Sequence, residues 1–325
     1  MIVFQNMSKP LSKKAHNPLP HIGPRIGKVD WYAFTWRAPM VVWQVLFFIG
    51  PLLFTLAMTF FLVKNYRMTE AFEMKNWIKM FGKSYFWDAY ALTFWLASLS
   101  TMVASCLAFP AAYGLAFHVS AQTRRWAIFF LIIPFFTSYL VRTFSWYAIL
   151  AESGVVNSFL ANFGIGPFTM LNTQFGTMVG YMTLTLPLVI ILQTLSLANV
   201  DHRLIEAARN LGAGTWSVIA RVIIPSAKIG LIIGAVFCFI LSFGDFVSPY
   251  YLGGSKPPTL AILIIDTTKS GQQWPRAAVV AVVMIVTLML VAFAAIKFAY
   301  SSPGRRRTKS VSAGTITEQT QGLHQ

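Results

Sequence analysis

The stretch EAARNLGAGTWSVIARVIIP, Glu206 to Pro225, decides how this chain is read. It stands between two apolar runs, each long enough to cross a bilayer. Most connections between such runs carry no pattern. This one has a charged head, two alanines, a glycine six positions after its glutamate, and a proline just ahead of the next apolar run. So ordered a polar segment asks for a reason.

Composition sets the frame around it. The chain has 325 residues, of which 56% are hydrophobic and 11% charged, with a mean hydropathy of +0.61. Soluble domains carry about 25% charged residues, so lipid solvates most of this chain. The net charge of +16 does not point to nucleic acid, because the charges lie between apolar runs and at the two ends. Topology explains that placement. Cys106 and Cys238 lie in separate apolar segments, without a CxxC partner or a nearby histidine. They read as small buried hydrophobes.

A bilayer core of about 30 Å takes roughly 20 helical residues. Six segments meet that length, near 39–63, 89–117, 126–149, 175–197, 228–248 and 276–299. They predict an all-α membrane protein with six transmembrane helices over 39–299, flanked by tails at 1–38 and 300–325. The polar start lacks an early apolar core followed by a small-residue cleavage site, so no signal peptide is expected. Prolines fall in the first four spans: Pro51, Pro110, Pro134 and Pro187. Proline is tolerated in lipid where neighbours satisfy the freed carbonyl, either as packing kinks or as kinks that line a cavity.

Lysine and arginine orient the chain. With both termini in the cytoplasm, seventeen of these residues fall on that side and eight on the other, and Arg142 lies within a span. The 64–88 segment, with five of the eight, runs against the rule. Glu70, Glu73 and Asp88 partly offset it, which suggests a folded outer segment. The segment from Glu206 to Pro225 is then cytoplasmic.

Its residues read as two short helices with a break. Asp201 or a neighbour can cap the first, and Glu206 suits its early turns. Leu204, Ile205 and Leu211 give a narrow apolar stripe, Ala207 and Ala208 a thin face, and Arg209 projects elsewhere. Gly212 or Gly214 can end the helix left-handed, and Pro225 suits the first turn of the following span. Such a helix is shaped to dock into a groove on another protein.

The spacing Glu-Ala-Ala, three residues, Gly, nine residues, aliphatic, one residue, aliphatic, Pro is filled by Glu206, Ala207, Ala208, Gly212, Val222, Ile224 and Pro225. It resembles the signature loop of the permease subunits of bacterial ATP-binding-cassette importers. The resemblance implies the type I permease fold in the cell's inner membrane. It also implies partners: a second permease subunit, two ATP-binding subunits gripping this loop, and an extracytoplasmic solute-binding protein. ATP is then used by the partners, and no cofactor belongs to this chain. Closure of the ATPase pair would move the docked loop as a lever and expose the site to each side in turn.

The residues themselves offer no catalytic chemistry. The only Gly-Lys-Ser is Gly82-Lys83-Ser84, and Trp77 stands where a phosphate-cradling loop needs glycine. There is no HExxH and no GxSxG, and the histidines are scattered at 16, 21, 118, 202 and 324.

The likeness extends over roughly 89–300. FFTSYLVRTFSWYAIL (Phe135–Leu150), GVVNSFL (Gly154–Leu160) and LSFGDFVSPYYLGG (Leu241–Gly254) resemble the spermidine/putrescine permease branch. That implies a polyamine, with opines, ferric iron, amino-acid-like compounds or an anion as the other solutes such machines carry. Intramembrane ionisable groups are functional candidates. Arg142 lies about 24 Å along its helix from Trp126, and Asp245 about 26 Å from Lys228, at about 1.5 Å per residue. At similar depth they can pair, or Arg142 can snorkel. Alternatively, Asp245 meets a cationic substrate with cation–π help from Trp146, Tyr250 or Tyr251, while Arg142 alone would argue for an anion. Aromatic-belt anchoring is the plainer account of those rings. A self-sufficient ion channel or a membrane scaffold would need no docking loop. Beyond Tyr300 the chain is polar and aperiodic, so disorder is expected, and Arg305–Lys309 can contact anionic lipid.

Overall fold

The structure, a computed structural model, describes residues 31–64 and 67–301. Most of the predicted tails, including Arg305–Lys309, lies outside the described residues.

The first apolar segment forms α1 (Trp31–Gln44), a π-helical turn (Val45–Ile49) and α2 (Gly50–Met58). Apolar residues occupy every side of Val41–Leu56, as lipid solvation requires. Two three-residue strands follow, β1 (Leu62–Lys64) and β2 (Arg67–Thr69), paired antiparallel. This hairpin is the one β element among the described residues. The Asn76 side chain holds its base by donating to the Thr59 and Phe61 carbonyls at 2.9 and 2.7 Å. Asn76 belongs to α3 (Lys75–Phe81), and Lys75 pairs with Glu73. The described residues of the charge-rich 64–88 segment are therefore folded.

Three long helices make the core: α4 (Ser84–Phe117), α8 (Gln174–Ala198) and α11 (Ile224–Gly244). Their approach follows from small residues. The buried face of α4 runs Ala89, Ala97, Ala104, Ala108, Ala112 and Ala116. With no hydrophobic effect between helices in lipid, close van der Waals contact and buried hydrogen bonds do the holding. Ser100 meets Ser242 at 3.1 Å, and Ser196 donates to the Ala227 carbonyl at 2.9 Å. A Cβ on Gly230 would overlap Ser196. Against this trio pack α13 (Leu260–Gly271) and α14 (Trp274–Tyr300), around Phe86, Phe239, Phe243, Leu260, Val279 and Val280. Cys238 is buried and Cys106 exposed.

The third span departs from its prediction as one helix over 126–149. Helix α5 (Ala121–Ile132) tightens into a 3₁₀ turn (Ile133–Phe136), and the chain breaks at Thr137–Ser138. It resumes, turned by 92°, as α6 (Tyr139–Leu150) and α7 (Val155–Ala161). Five helices among the described residues can cross a bilayer by length and composition, and this bent pair makes a sixth. The axial depth reckoned for Arg142 from Trp126 therefore does not hold. Of the four span prolines, only Pro134 sits at a full break, while α4 and α8 run on through Pro110 and Pro187.

Candidate functional site

The signature segment begins at α9 (His202–Asn210). The Asp201 side chain caps it by accepting from the Arg203 N–H at 2.9 Å. The helix stops at Gly212, whose φ of +82° is open to glycine at little cost. Gly212 N–H donates to the Arg209 carbonyl at 2.9 Å and Ala213 N–H to the Ala208 carbonyl at 3.1 Å, a Schellman closure. Gly212, rather than Gly214, ends the helix.

The predicted stripe Leu204–Ile205–Leu211 is split. Ile205 is 7% exposed and packs with Ala112, Ala116, Leu197, Val218 and Ile223. Leu204 and Leu211 face the other way, 51% and 88% exposed, because positions seven apart repeat one helix face. Glu206, Ala207 and Arg209 are exposed with them, while Ala208 is half-buried. Trp216, which the pattern had not singled out, is 83% exposed. Ile205 thus plugs α9 onto the bundle, with Val218 and Ile223 buried beside it, while Leu204, Leu211 and Trp216 are turned outward.

The second short helix joins the span without a break. Helix α10 (Thr215–Val218) passes through a π-helical turn (Ile219–Ile223) into α11, so the helical run spans Thr215–Gly244. Pro225 lies two residues past the end of that wide turn. A proline ring clashes with the carbonyl four residues earlier in a regular helix. Widening the preceding turn moves that carbonyl aside, and Pro51 follows its own π turn in the same way.

A second polar centre lies where α11 ends. Asp245 is 8% exposed. Its carboxylate caps α12 (Val247–Tyr251), accepting from Val247 N–H at 2.8 Å and Ser248 N–H at 3.3 Å. Two hydroxyls also donate to it, Ser248 Oγ at 2.6 Å and Tyr139 Oη at 2.5 Å. The Tyr139 bond ties the start of α6, just past the break in the third span, to the break between α11 and α12.

Arg142 does not pair with Asp245. Among the described residues the one ion pair is Lys75–Glu73. The Arg142 guanidinium instead donates to the Pro134 and Thr137 carbonyls, to Thr137 Oγ1 at 2.8 Å, and to the Thr183 carbonyl at 3.4 Å. The reason is legible in the prolines. Thr183 is four residues before Pro187, which has no N–H to give it. The carbonyls at Pro134 and Thr137 border the broken third span. Arg142 thus serves the Thr183 carbonyl that Pro187 leaves without an N–H, and adds a donor at the break of the third span, where the Pro134 carbonyl already accepts from the Thr137 N–H and hydroxyl.

Trp146 lies on α6 and Tyr250 and Tyr251 on α12, two helices that pack together. Tyr251 packs between Phe144, tilted to it, and Tyr250, edge-on to it, with ring centroids 4.7 and 4.9 Å away. Tyr139, Ser248 and Tyr181 were missed. Ser248 carried a faint signal, an Asp-x-x-Ser spacing, but the tyrosines are distant in sequence and looked like ordinary span residues.

Membrane-crossing helices, one of them bent, with a capped polar segment that leaves apolar side chains exposed and a polar centre at two helix breaks, define the class: the permease subunit of an ATP-binding-cassette importer. The chain belongs to the family described as the binding-protein-dependent transport system inner membrane component, whose model matches residues 104–306. Among curated proteins it resembles the spermidine/putrescine transport system permease protein PotB of Haemophilus influenzae, at 27% identity over 77% of this chain and 88% of that one. It resembles the inner membrane ABC transporter permease protein YdcU of Escherichia coli at 26% identity, over 82% of this chain and 92% of that one. In fold it matches a bacterial ABC transporter involved in the import of the acidic polysaccharide alginate, with a TM-score of 0.67 at 18% identity, covering 86% of this chain and 97% of that one.

Proposed function

We propose that this permease subunit imports a polyamine-class cation, and that the segment from His202 to Pro225 is the handle by which a separate ATPase drives it. Both termini then face the cytoplasm, and the complete machine holds a second permease subunit, two ATP-binding subunits and an extracytoplasmic solute-binding protein. The observation that carries the handle is the split of its apolar residues. Ile205 fixes α9 to the bundle, while Leu204, Leu211 and Trp216 remain exposed beside Glu206, Ala207 and Arg209. Exposed aromatic and aliphatic anchors on a rigid helix are what a groove on a partner grips.

Transmission follows from continuity. Movement of Trp216 passes along Thr215–Gly244 without a loop, to the residue before Asp245. The polyamine reading rests on the PotB likeness and on a buried carboxylate without a cationic partner among the described residues. Trp146, Tyr250 and Tyr251, on helices at that centre, supply aromatic faces for a cation. Arg142, engaged with carbonyls, favours neither a pair nor an anion site.

The test is uptake of labelled putrescine and spermidine by cells carrying the whole transporter. Asp245→Asn should abolish uptake while the subunit still reaches the membrane and retains its ATPase. Undiminished uptake by that variant would remove Asp245 from the substrate path, and an absence of any polyamine uptake would remove the substrate assignment.

A further inference from the structure

The Asp245 centre holds more acceptor and hydroxyl groups than its own contacts use. Asp245 Oδ2, Ser248 Oγ and Tyr139 Oη form a triangle, with the two hydroxyls 2.5 Å apart. Beside it, Tyr181 is 1% exposed, its hydroxyl has no hydrogen-bond partner, and it lies close enough to Asp245 to feel its charge. An unpaired buried hydroxyl is costly, so it asks for a ligand. The nearest basic residue on the facing helices, Arg142, is occupied with carbonyls of the third and fourth spans.

An ammonium group carries N–H donors only and seeks acceptors around it. A hydroxyl that donates now can rotate and accept instead. Asp245 supplies the charge, and Tyr139, Ser248 and Tyr181 supply up to three neutral oxygens. Resting on the polyamine reading above, we propose that this cluster binds one protonated primary or secondary amine of the substrate, with the Tyr139 hydroxyl giving up its bond to Asp245 as the amine arrives. A quaternary ammonium, with no N–H, would be a poor ligand here. Entry of the amine also undoes the tie between α6 and α12, so occupancy and the relative freedom of the two broken spans are linked.

The test places a thiol in the cluster by Ser248→Cys, with Cys106→Ser and Cys238→Ala removing the native thiols. The assembled transporter in membrane vesicles is treated with 2-aminoethyl methanethiosulfonate, which bears an ammonium, and with the neutral methyl methanethiosulfonate. The carboxylate should raise the ammonium-to-neutral rate ratio at least about tenfold over that of a free thiol. Asp245→Asn should abolish the preference, Tyr181→Phe should reduce it, and putrescine but not 1,4-butanediol should protect. A ratio unaffected by Asp245→Asn overturns the proposal. So does absence of putrescine protection, or a thiol sealed to both reagents with and without ATP. Tyr139→Cys is the second attachment point should Ser248→Cys fail to assemble. If Asp245→Asn still loses uptake while the labelling shows no preference, the amine site falls and the polyamine reading stands. If Asp245→Asn transports normally, it is the substrate path through Asp245 that falls.

Discussion

Two regions of this protein carry its polar chemistry, and they are assembled by opposite means. The segment from His202 to Pro225 is built from neighbours: an Asp201 cap, a Gly212 stop and an inward Ile205 that meets Val218 and Ile223 of the same segment. The Asp245 centre is built from strangers, with Tyr139 joined to Asp245 across 106 positions of sequence. The first region leaves Leu204, Leu211 and Trp216 exposed, and the second turns its hydroxyls onto a buried carboxylate. Changes in the handle should therefore alter coupling and spare the bundle. Changes around the helix breaks should weaken the bundle itself.

The sharpest way to break that contrast is to charge the handle. Leu211→Asp with Trp216→Asp should cost on the order of 2 kcal/mol per anchor in ATPase affinity, a combined loss of roughly 100-fold or more in copurified ATPase and in uptake. The purified subunit's melting temperature should barely move. A lowered melting temperature with intact coupling would erase the distinction between the regions.

Next comes Arg142→Met, which removes the guanidinium donor from the Thr183 carbonyl and its ties to Pro134 and Thr137 at the break of the third span. A destabilisation of about 2–4 kcal/mol is expected, read as earlier thermal aggregation of the detergent-solubilised protein. Arg142→Lys should recover little, since one ammonium cannot span the positions the guanidinium fork reaches. If Arg142→Met is as stable as the parent but loses transport, Arg142 belongs to the solute path instead.

A smaller effect is expected of Gly212→Ala, which places a side chain at a φ of +82° and costs about 1–2 kcal/mol locally. Uptake and ATPase copurification should fall by several-fold, and bundle stability should hold. The smallest concerns Lys228, whose ammonium donates to the Phe298 and Ser301 carbonyls at 2.6 and 3.1 Å and lies 4.4 Å from the Phe298 ring. It caps the end of α14 where the helix dipole favours a cation. Lys228→Met should lower stability by about 0.5–1 kcal/mol, detectable as a shift of a degree or two in thermal unfolding, with uptake near normal.

The same contrast explains what could be read in the amino acids alone. Capping, left-handed stops and docking faces are local, so Asp201, Glu206, Gly212 and Pro225 announced the handle by their spacing. The burial of Ile205 between Ala112, Ala116 and Leu197 depends on where other helices end, so the stripe was read as one face when it is two. Apolar length located the spans but could not see the bend at Thr137–Ser138, because lipid-facing and bent segments share one composition. Arg142 was visible as an anomaly. Its role required knowing that Pro187, 45 positions away, withholds a hydrogen from Thr183.

The π turn at Ile219–Ile223 also sets the angular phase of the whole fifth span. It holds one residue more than a plain α turn, and one residue is about 100° of rotation. The turn absorbs that surplus residue, so Cys238 and Ser242 keep the phase that points them into the bundle. Removing a single residue within the turn would restore ordinary pitch and leave both ends aligned. Removing one anywhere between Ser226 and Gly244 would swing the buried face toward lipid. In this helix, tolerance to deletion has an address.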